Sequence, residues 1–398
     1  MAVFQNTWRK TLEERSRAGL IRHHKVLESA QGVDIQVDGR SYLAFCSNDY
    51  LGLANHPDVS EAAIKSIESY GVGSGASHLV IGHHLEHELL EKDLADFTSR
   101  DRAMVFSSGY MANMALVSSL VDKSDLVLQD KLNHASLLDG GLLSGARFQR
   151  FLHNDMNSLE GYLSKFTQDQ KINKTLVVTD GVFSMDGDIA HIDKMARISK
   201  HYDALLMVDD AHGLGVLGEA GAGTLSSLNL SQDDVPVLMG TFGKAFGTSG
   251  AFVAGSEQLI EFLTQVARPY IYTTAMPPAV AAATRKSLEL IKSADASRLH
   301  LKALITYFRE KVSALGYLLM PSDTPIQPVL IGSSFRTMAL AEFLKEQGVL
   351  VGAIRPPTVP DKTARLRITL SAAHSFAQID RLLDVLDDAL QKGVIGHD

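Results

Sequence analysis

Short apolar runs alternate with stretches of helical spacing through most of the chain. Runs bounded by turn residues read as buried strands, whereas recurrence at three and four positions reads as helix. A helix over His87–Thr98 precedes a strand at Ala103–Phe106, and a further helix begins near Gly109. Strands are then predicted at Leu126–Gln129, Thr175–Thr179, Leu205–Val208, Val235–Met239 and Ala251–Ala254, with helical segments between many of them. This alternation predicts an α/β fold with a mostly parallel sheet covered by helices on both faces. Residues 1–30 read as a charged helical lead-in, and VDIQVDGRSYLAF as short strands that turn at Asp38-Gly39. Beyond about residue 286, a helix from Ser287 to Ala314 leads into a smaller α/β unit. Its parts are IQPVLIG, the helix FRTMALAEFLKEQG, VLVGAI, ARLRITL and a last amphipathic helix. Ser375 and Gln378 have the capping-box spacing that starts that helix. The expected division is residues 1–45 as N-terminal helix and strands, 46–285 as a large domain and 286–398 as a small one.

Composition narrows the class. At 398 residues the chain exceeds one compact unit. A net charge of −8 argues against a general nucleic-acid binder. Cys46 is the single cysteine, so no internal disulfide forms and a reducing, cytoplasmic setting is expected. No apolar run is long enough to cross a bilayer, so no membrane partner is expected. Nor does the start of the chain have a signal-peptide core. Arg9, Lys10, Arg15, Arg17, Arg22 and Lys25 face only Glu13 and Glu14 in the lead-in. Such a stretch is ordinarily a solvated helix face, or else a landing site for a polyanionic carrier.

The chemistry gathers at strand ends. In parallel α/β sheets ligands bind beyond the carboxyl ends of the strands. Those ends carry Ser107-Ser108-Gly109-Tyr110, Asn133-His134, Ser184, Asp209 with His212, and Thr241 with Lys244. A lone turn lysine or a core histidine is ordinary; five such groups on one sheet edge call for a ligand. Pyridoxal phosphate needs an amine, a carboxylate facing its ring nitrogen, and donors for its phosphate. Lys244 supplies an amine in GTFGKAFG, among small and apolar neighbours that desolvate it. Asp209 ends an apolar strand, and the SSGY turn before a helix offers N–H groups and a helix dipole. Thr241 stands near enough in sequence for a hydroxyl contact to the same phosphate. His134 is placed to stack on the ring and His212 to bond its phenolic oxygen.

TDGVFSMDGD, VDDAHGLGVLG and GTFGKAFGTSG, with SNDYLGL and NHASLLDG, resemble the α-oxoamine synthase family of fold-type-I pyridoxal-phosphate enzymes. The resemblance covers nearly the whole chain. It implies a PLP-dependent acyltransferase whose large domain has a mostly parallel seven-stranded sheet between helices, with a smaller C-terminal α/β domain. It further implies Lys244 as the Schiff-base lysine, Asp209 as the pyridinium partner and His134 as the stacking residue. His212 and Ser184 would lie near the cofactor, and Gly109, Tyr110 and Thr241 at its phosphate. A homodimer with shared sites follows, in which Thr274, or Thr273 in its place, reaches the neighbour's phosphate. The segment AIRPPTVP looks like that of members serving biotin biosynthesis, which condense L-alanine with a pimeloyl thioester on CoA or a carrier protein. On that likeness Arg355 takes the substrate carboxylate, and Thr358, Arg22 and Asn48 contact substrate. GSGASHLVIG departs from the pattern at His78 and Ile81, places that vary among relatives, so the resemblance says less about acyl-chain selectivity than about the cofactor.

Other readings are weaker. His83-His84-Leu85-Glu86-His87 fits an H-x-x-E-H zinc pattern but lacks a third ligand, so no metal is expected. GTFGKAFG fails the phosphate-loop rule because Leu238 and Ala245 stand where glycine and Ser or Thr are required. A relative that joins glycine to acetyl-CoA, a transaminase and a non-catalytic cofactor-binding regulator remain alternatives. The regulator would be expected to lack part of the Lys244–Asp209–His134 set or to carry a DNA-binding module, and neither is seen.

Overall fold

The computed structural model describes residues 1–17, 20–167, 169 and 171–394. Thirteen strands form two sheets. The larger contains β3 (Arg102–Phe106), β4 (Leu126–Asp130), β5 (Arg147–Phe151), β6 (Thr175–Asp180), β7 (Leu205–Asp209), β8 (Val237–Thr241) and β9 (Ala251–Gly255), in the order β3-β9-β8-β7-β6-β4-β5. Only β9 runs against the rest, so six carboxyl ends share one edge. The register sets Asp180 beside Asp209, and Phe106 and Thr241 on either side of Ala251.

The strands read as unbroken apolar runs because both faces of the sheet are covered. Val178, Met207, Met239 and Val253 pack with Ala112, Ala115 and Leu116 of one helix layer. Val177, Leu206, Val208 and Leu238 alternate with them and pack on Leu159, Leu163, Ile192 and Met195 opposite. Each such side chain contributes roughly 1.5–3 kcal/mol of burial, which fixes the register and hence the loops at the strand ends.

The smaller sheet holds β1 (Asp34–Val37), β2 (Arg40–Phe45), β10 (Leu318–Leu319), β11 (Ile326–Gly332), β12 (Val349–Ile354) and β13 (Ala364–Thr369), in the order β1-β2-β12-β13-β11-β10. Asp38 and Gly39 have φ of 49° and 74°, the pair of left-handed residues that a two-residue hairpin turn requires. The expected separation of residues 1–45 does not appear, because β2 pairs in parallel with β12 and extends the small sheet.

Three further differences have local causes. Helix α1 spans Ala2–Arg17, and the lead-in is not helical to residue 30: Asp38 N–H bonds to Val26 and Glu28 N–H to Gln36, drawing that segment alongside β1. The single helix expected over Ser287–Ala314 is two, Pro278–Lys292 and Asp295–Ala314, with the break at Ser293-Ala294. Strand β5 has only Phe151 buried because it lies at the sheet edge, so its RFQRF pattern gives no strand signal. Helices α2 (Pro57–Tyr70), α3 (Leu85–Thr98), α4 (Gly109–Leu120) and α5 (Ala135–Leu143) follow α1, and α4 carries Asn113 while α5 carries Ser136.

Candidate active site

Lys244 lies in the turn between β8 and β9. Phe242 N–H bonds to Gly250, Thr248 N–H to Phe242 and Gly247 N–H to Lys244, so the turn is fixed on both sides of the lysine. Gly247 takes φ 65°, and a Cβ there would meet Ala54 N at 2.4 Å, so this close turn requires glycine. Half-buried as a residue, Lys244 faces Asp209, Asp180 and Arg367. Burial pulls its pKa down to about 8, against the opposing pull of Asp209 and Asp180.

Asp209, at the end of β7, is buried and accepts Asn113 Nδ2 at 2.7 Å and Ala211 N–H at 3.0 Å. Asn113, on α4, spends its other amide proton on Ser136 Oγ at 2.9 Å. That hydroxyl, 2.7 Å from His134 Nδ1, donates onward, so the His134 ring carries its proton on Nε2. Burial and the Lys244 charge lower the His134 pKa, keeping the ring neutral. His134 N–H in turn bonds Asp180 Oδ2 at 2.8 Å, and Asp180 is pushed well up by burial and the Asp209 charge.

His212 is also held by a neighbouring hydroxyl. Tyr50 Oη lies 2.6 Å from its Nδ1 and 3.4 Å from Asn48 Oδ1, which fixes the ring between the tyrosine and the cluster. Burial first, then Lys244 and Arg367, hold His212 well below its usual range, while burial pushes Tyr50 to about 12. At the other end of the site, Ser108 caps α4 by accepting Met111 N–H at 3.3 Å, so the free N–H groups of the first turn open beside Thr241. A Cβ on Gly109 would stand 3.6 Å from Thr241 Oγ1 and 2.9 Å from Met239 Cε, which measures how closely the two elements approach. Tyr110 sits edge-on to His134 at 6.4 Å and donates its O–H to Asp139.

The small sheet supplies the remaining cation. Along β13, Leu366 and Ile368 face the core, while Arg365 and Arg367 face the loop after β6. Arg367 is 7 % exposed and donates to Ser184 O at 2.6 Å, Thr369 Oγ1 at 3.0 Å and Asn48 Oδ1 at 3.2 Å. Among the described residues no carboxylate pairs with it, which is unusual for a buried guanidinium.

The fold therefore brings together Lys244, Asp209, His134, His212, Ser184, Asn48, Thr241, Gly109 and Tyr110. Asn113, Ser136, Asp180, Tyr50 and Arg367 join them without having been singled out in the sequence. Arg22 and Arg355 lie apart: with Arg15 and Thr358 they line a cavity of about 190 Å³. Thr358 also lines a larger one, of about 670 Å³, with His134, Asp180 and Ser184. Thr274 is exposed, its backbone bridged to Ser77. His83 and His87 do gather with His78 as a candidate ligand set. Both ring nitrogens of His87 are engaged by backbone, however, accepting His84 N–H at 2.9 Å and donating to Met276 O at 2.7 Å. Burial lowers His78 to about 3 and His87 to about 4.

The donor set fits pyridoxal phosphate: a lysine with a lowered pKa, a buried carboxylate with two N–H donors, a neutral histidine and a capped helix N-terminus beside a hydroxyl. Residues 40–386 match the family model for aminotransferase class I and II. The chain belongs to that family. It is 59% identical over 378 residues to 8-amino-7-oxononanoate synthase of Pseudomonas aeruginosa (strain LESB58), covering 95% of this chain and 93% of the relative. Serine palmitoyltransferase of Sphingomonas wittichii superposes with a TM-score of 0.91 at 31% identity, over 96% of this chain and 97% of that one. A serine palmitoyltransferase structure with a PLP internal aldimine gives 0.92 at 29% identity, over 98% of both chains. Within this family the chain is a PLP-dependent enzyme of the α-oxoamine synthase group, with acyltransferase-type relatives.

Proposed function

We propose that this chain condenses L-alanine with a pimeloyl thioester, releasing CO₂ and the thiol to give 8-amino-7-oxononanoate, as in biotin biosynthesis. The observation that carries the reading is Arg367, buried without a carboxylate partner among the described residues and near enough to Lys244 to act on its charge, bonded to Ser184 at a cavity that His134 and Asp180 also line. A guanidinium without a carboxylate binds that of an amino acid, and the cavity takes an acyl chain. The 59% identity to synthases of that name supports the same choice.

Bound at Lys244, pyridoxal phosphate supplies an imine link and an electron sink for the amino-acid Cα. Asp209, held by Asn113 and Ala211 N–H, is the partner for a protonated ring nitrogen. Lys244 Nζ, with its lowered pKa, takes the Cα proton and later returns one. Arg367 holds the alanine carboxylate, a role expected of Arg355 from sequence. The His134 Nε2–H and the His212 imidazole orient ring and substrate oxygen atoms. Gly109, Tyr110 and Thr241 hold the phosphate, with Thr274 reaching the site of a second copy in a cytoplasmic homodimer.

The test is an absorbance titration of the cofactor-loaded protein with L-alanine and with glycine. Pimeloyl-CoA is then added, and thiol release and product mass are followed. A spectral response to L-alanine with the mass of 8-amino-7-oxononanoate is expected. Preference for glycine with acetyl-CoA, or no thiol released from pimeloyl-CoA, would overturn the reading.

A further inference from the structure

The larger cavity is lined by His134, Asp180 and Ser184 and also by two exposed cations. The rest of its lining is mainly apolar, with Leu132, Leu138, Phe183 and Val359, and includes Asn133 and Thr358. The cations are Lys131 and Arg150. Lys131 sits one residue past the end of β4, with its N–H on Phe151 O at 3.0 Å and its carbonyl accepting an Arg150 guanidinium N–H. Its backbone is thus fixed at both polar groups while its ammonium extends free.

Asp130, Asp180 and Asp186 are already engaged, and Asp188 is engaged through Oδ2 while its Oδ1 is buried. Asp130 accepts Leu132 N–H, Asn154 N–H and His153 Nδ1. Asp186 pairs with Arg365, and Asp188 with His153. Asp180 accepts His134 N–H and is pushed toward its neutral form. Among the described residues neither Lys131 nor Arg150 has an ion pair. A mainly apolar cavity lined also by unmatched cations is complementary to an apolar chain that ends in an anion.

We propose that Lys131 recognises the distal carboxylate of the acyl chain, and that Arg150 is a positioning residue acting through the Lys131 carbonyl. This rests on the reading of the acyl donor given above and goes beyond it, by naming what selects a dicarboxylic acyl group over a monocarboxylic one. The phosphates of a carrier arm would also meet a cation, but that arm is rich in amides and does not match walls of leucine, phenylalanine and proline. A run of methylenes does.

The experiment compares pimeloyl thioester with its distal methyl ester, each on CoA and on N-acetylcysteamine, for the wild-type holoenzyme and for Lys131→Ala, Lys131→Arg and Arg150→Ala. Lys131→Ala is expected to raise KM for the free acid at least about tenfold, with kcat within about threefold, and to cut the preference for acid over ester by about the same factor on both thiols. Arg150→Ala lowers that preference in the same direction, and Lys131→Arg retains it. An acid-to-ester preference unchanged in Lys131→Ala overturns the proposal, and so does a loss confined to the CoA thioesters, which would assign the cation to phosphate. Wild-type protein that releases no thiol from any pimeloyl donor overturns the underlying reading instead, so the two failures are distinguishable.

Discussion

At the scale of single residues, two arginines divide what the sequence treated as one role. The motif AIRPPTVP drew attention to Arg355, yet Arg355 shares its cavity with Arg15, Arg22 and Thr358, while Arg367 bonds Ser184 and Asn48 and faces Lys244. Arg367→Lys is expected to raise KM for L-alanine about 10- to 100-fold, the worth of charge-assisted hydrogen bonds that a point charge does not reproduce. Arg355→Lys should change that KM by less than about threefold. Steady-state kinetics at varied L-alanine decide it, and the reverse ranking would return the role to Arg355. That Lys244, Asp209, His134 and His212 gather in one place was legible, because each follows a predicted strand. Asn113 and Ser136 were not, because their importance lies in one relay from Asp209 to His134 that ties α4 and the start of α5 to the end of the distant strand β7. A signal did exist for Arg367: in ARLRITL, arginines alternate with leucine and isoleucine, so a strand with one apolar face must turn its arginines toward a partner.

At the scale of elements, the ends of strands and helices do the positioning, and ends are where sequence reading is weakest. The central strands were legible to within two residues because burial on both faces leaves a continuous apolar run. Strand β5 was not, since an edge strand need not be apolar, and β1–β2 were separated from the small sheet because nothing local encodes a parallel pairing with β12. Helix α4 illustrates how an end becomes a site. Ser108 occupies one of its first-turn N–H groups, at Met111, and orients the others beside Thr241. Ser108→Ala should cost about 1 kcal/mol of stability and weaken cofactor binding several-fold. Ser256→Ala removes the equivalent cap from the helix Glu257–Val266, where Ser256 accepts Leu259 N–H at 3.1 Å. That variant should lose similar stability and keep its cofactor affinity. Equal loss of cofactor affinity in the two, measured by titration of the apoprotein, would remove the assignment of the α4 terminus to the phosphate.

At the scale of the whole molecule, the site exists because the loop after β6 is clasped from both sides. The smaller sheet holds it through Ser322 and Thr324, between β10 and β11 and each donating to Gly187 O at 2.9 Å, and through the Arg365 and Arg367 contacts with Asp186 and Ser184. From the large sheet, His153 reaches Asp130 at 3.0 Å and Asp188 at 2.9 Å, with Phe183 edge-on at 4.4 Å. Both ring nitrogens face carboxylates, so the bridge is complete only when the imidazole is protonated. Burial opposes that charge, but the hydrogen bonds and charges of Asp130 and Asp188 outweigh it and raise the pKa to about 10. A histidine whose folded pKa lies above its unfolded value of about 6.5 contributes fully to stability below that value. The contribution then declines as pH rises, and is lost by the time pH passes the folded value near 10. The difference in Tm between the wild type and His153→Gln is therefore expected to be largest at or below about pH 6.5 and to shrink steadily toward pH 10. Using the difference cancels the titration of groups common to both proteins. Thermal unfolding across that range measures it, and a difference independent of pH would mean that His153 holds the loop as a neutral ring, by packing on Phe183 rather than by charge.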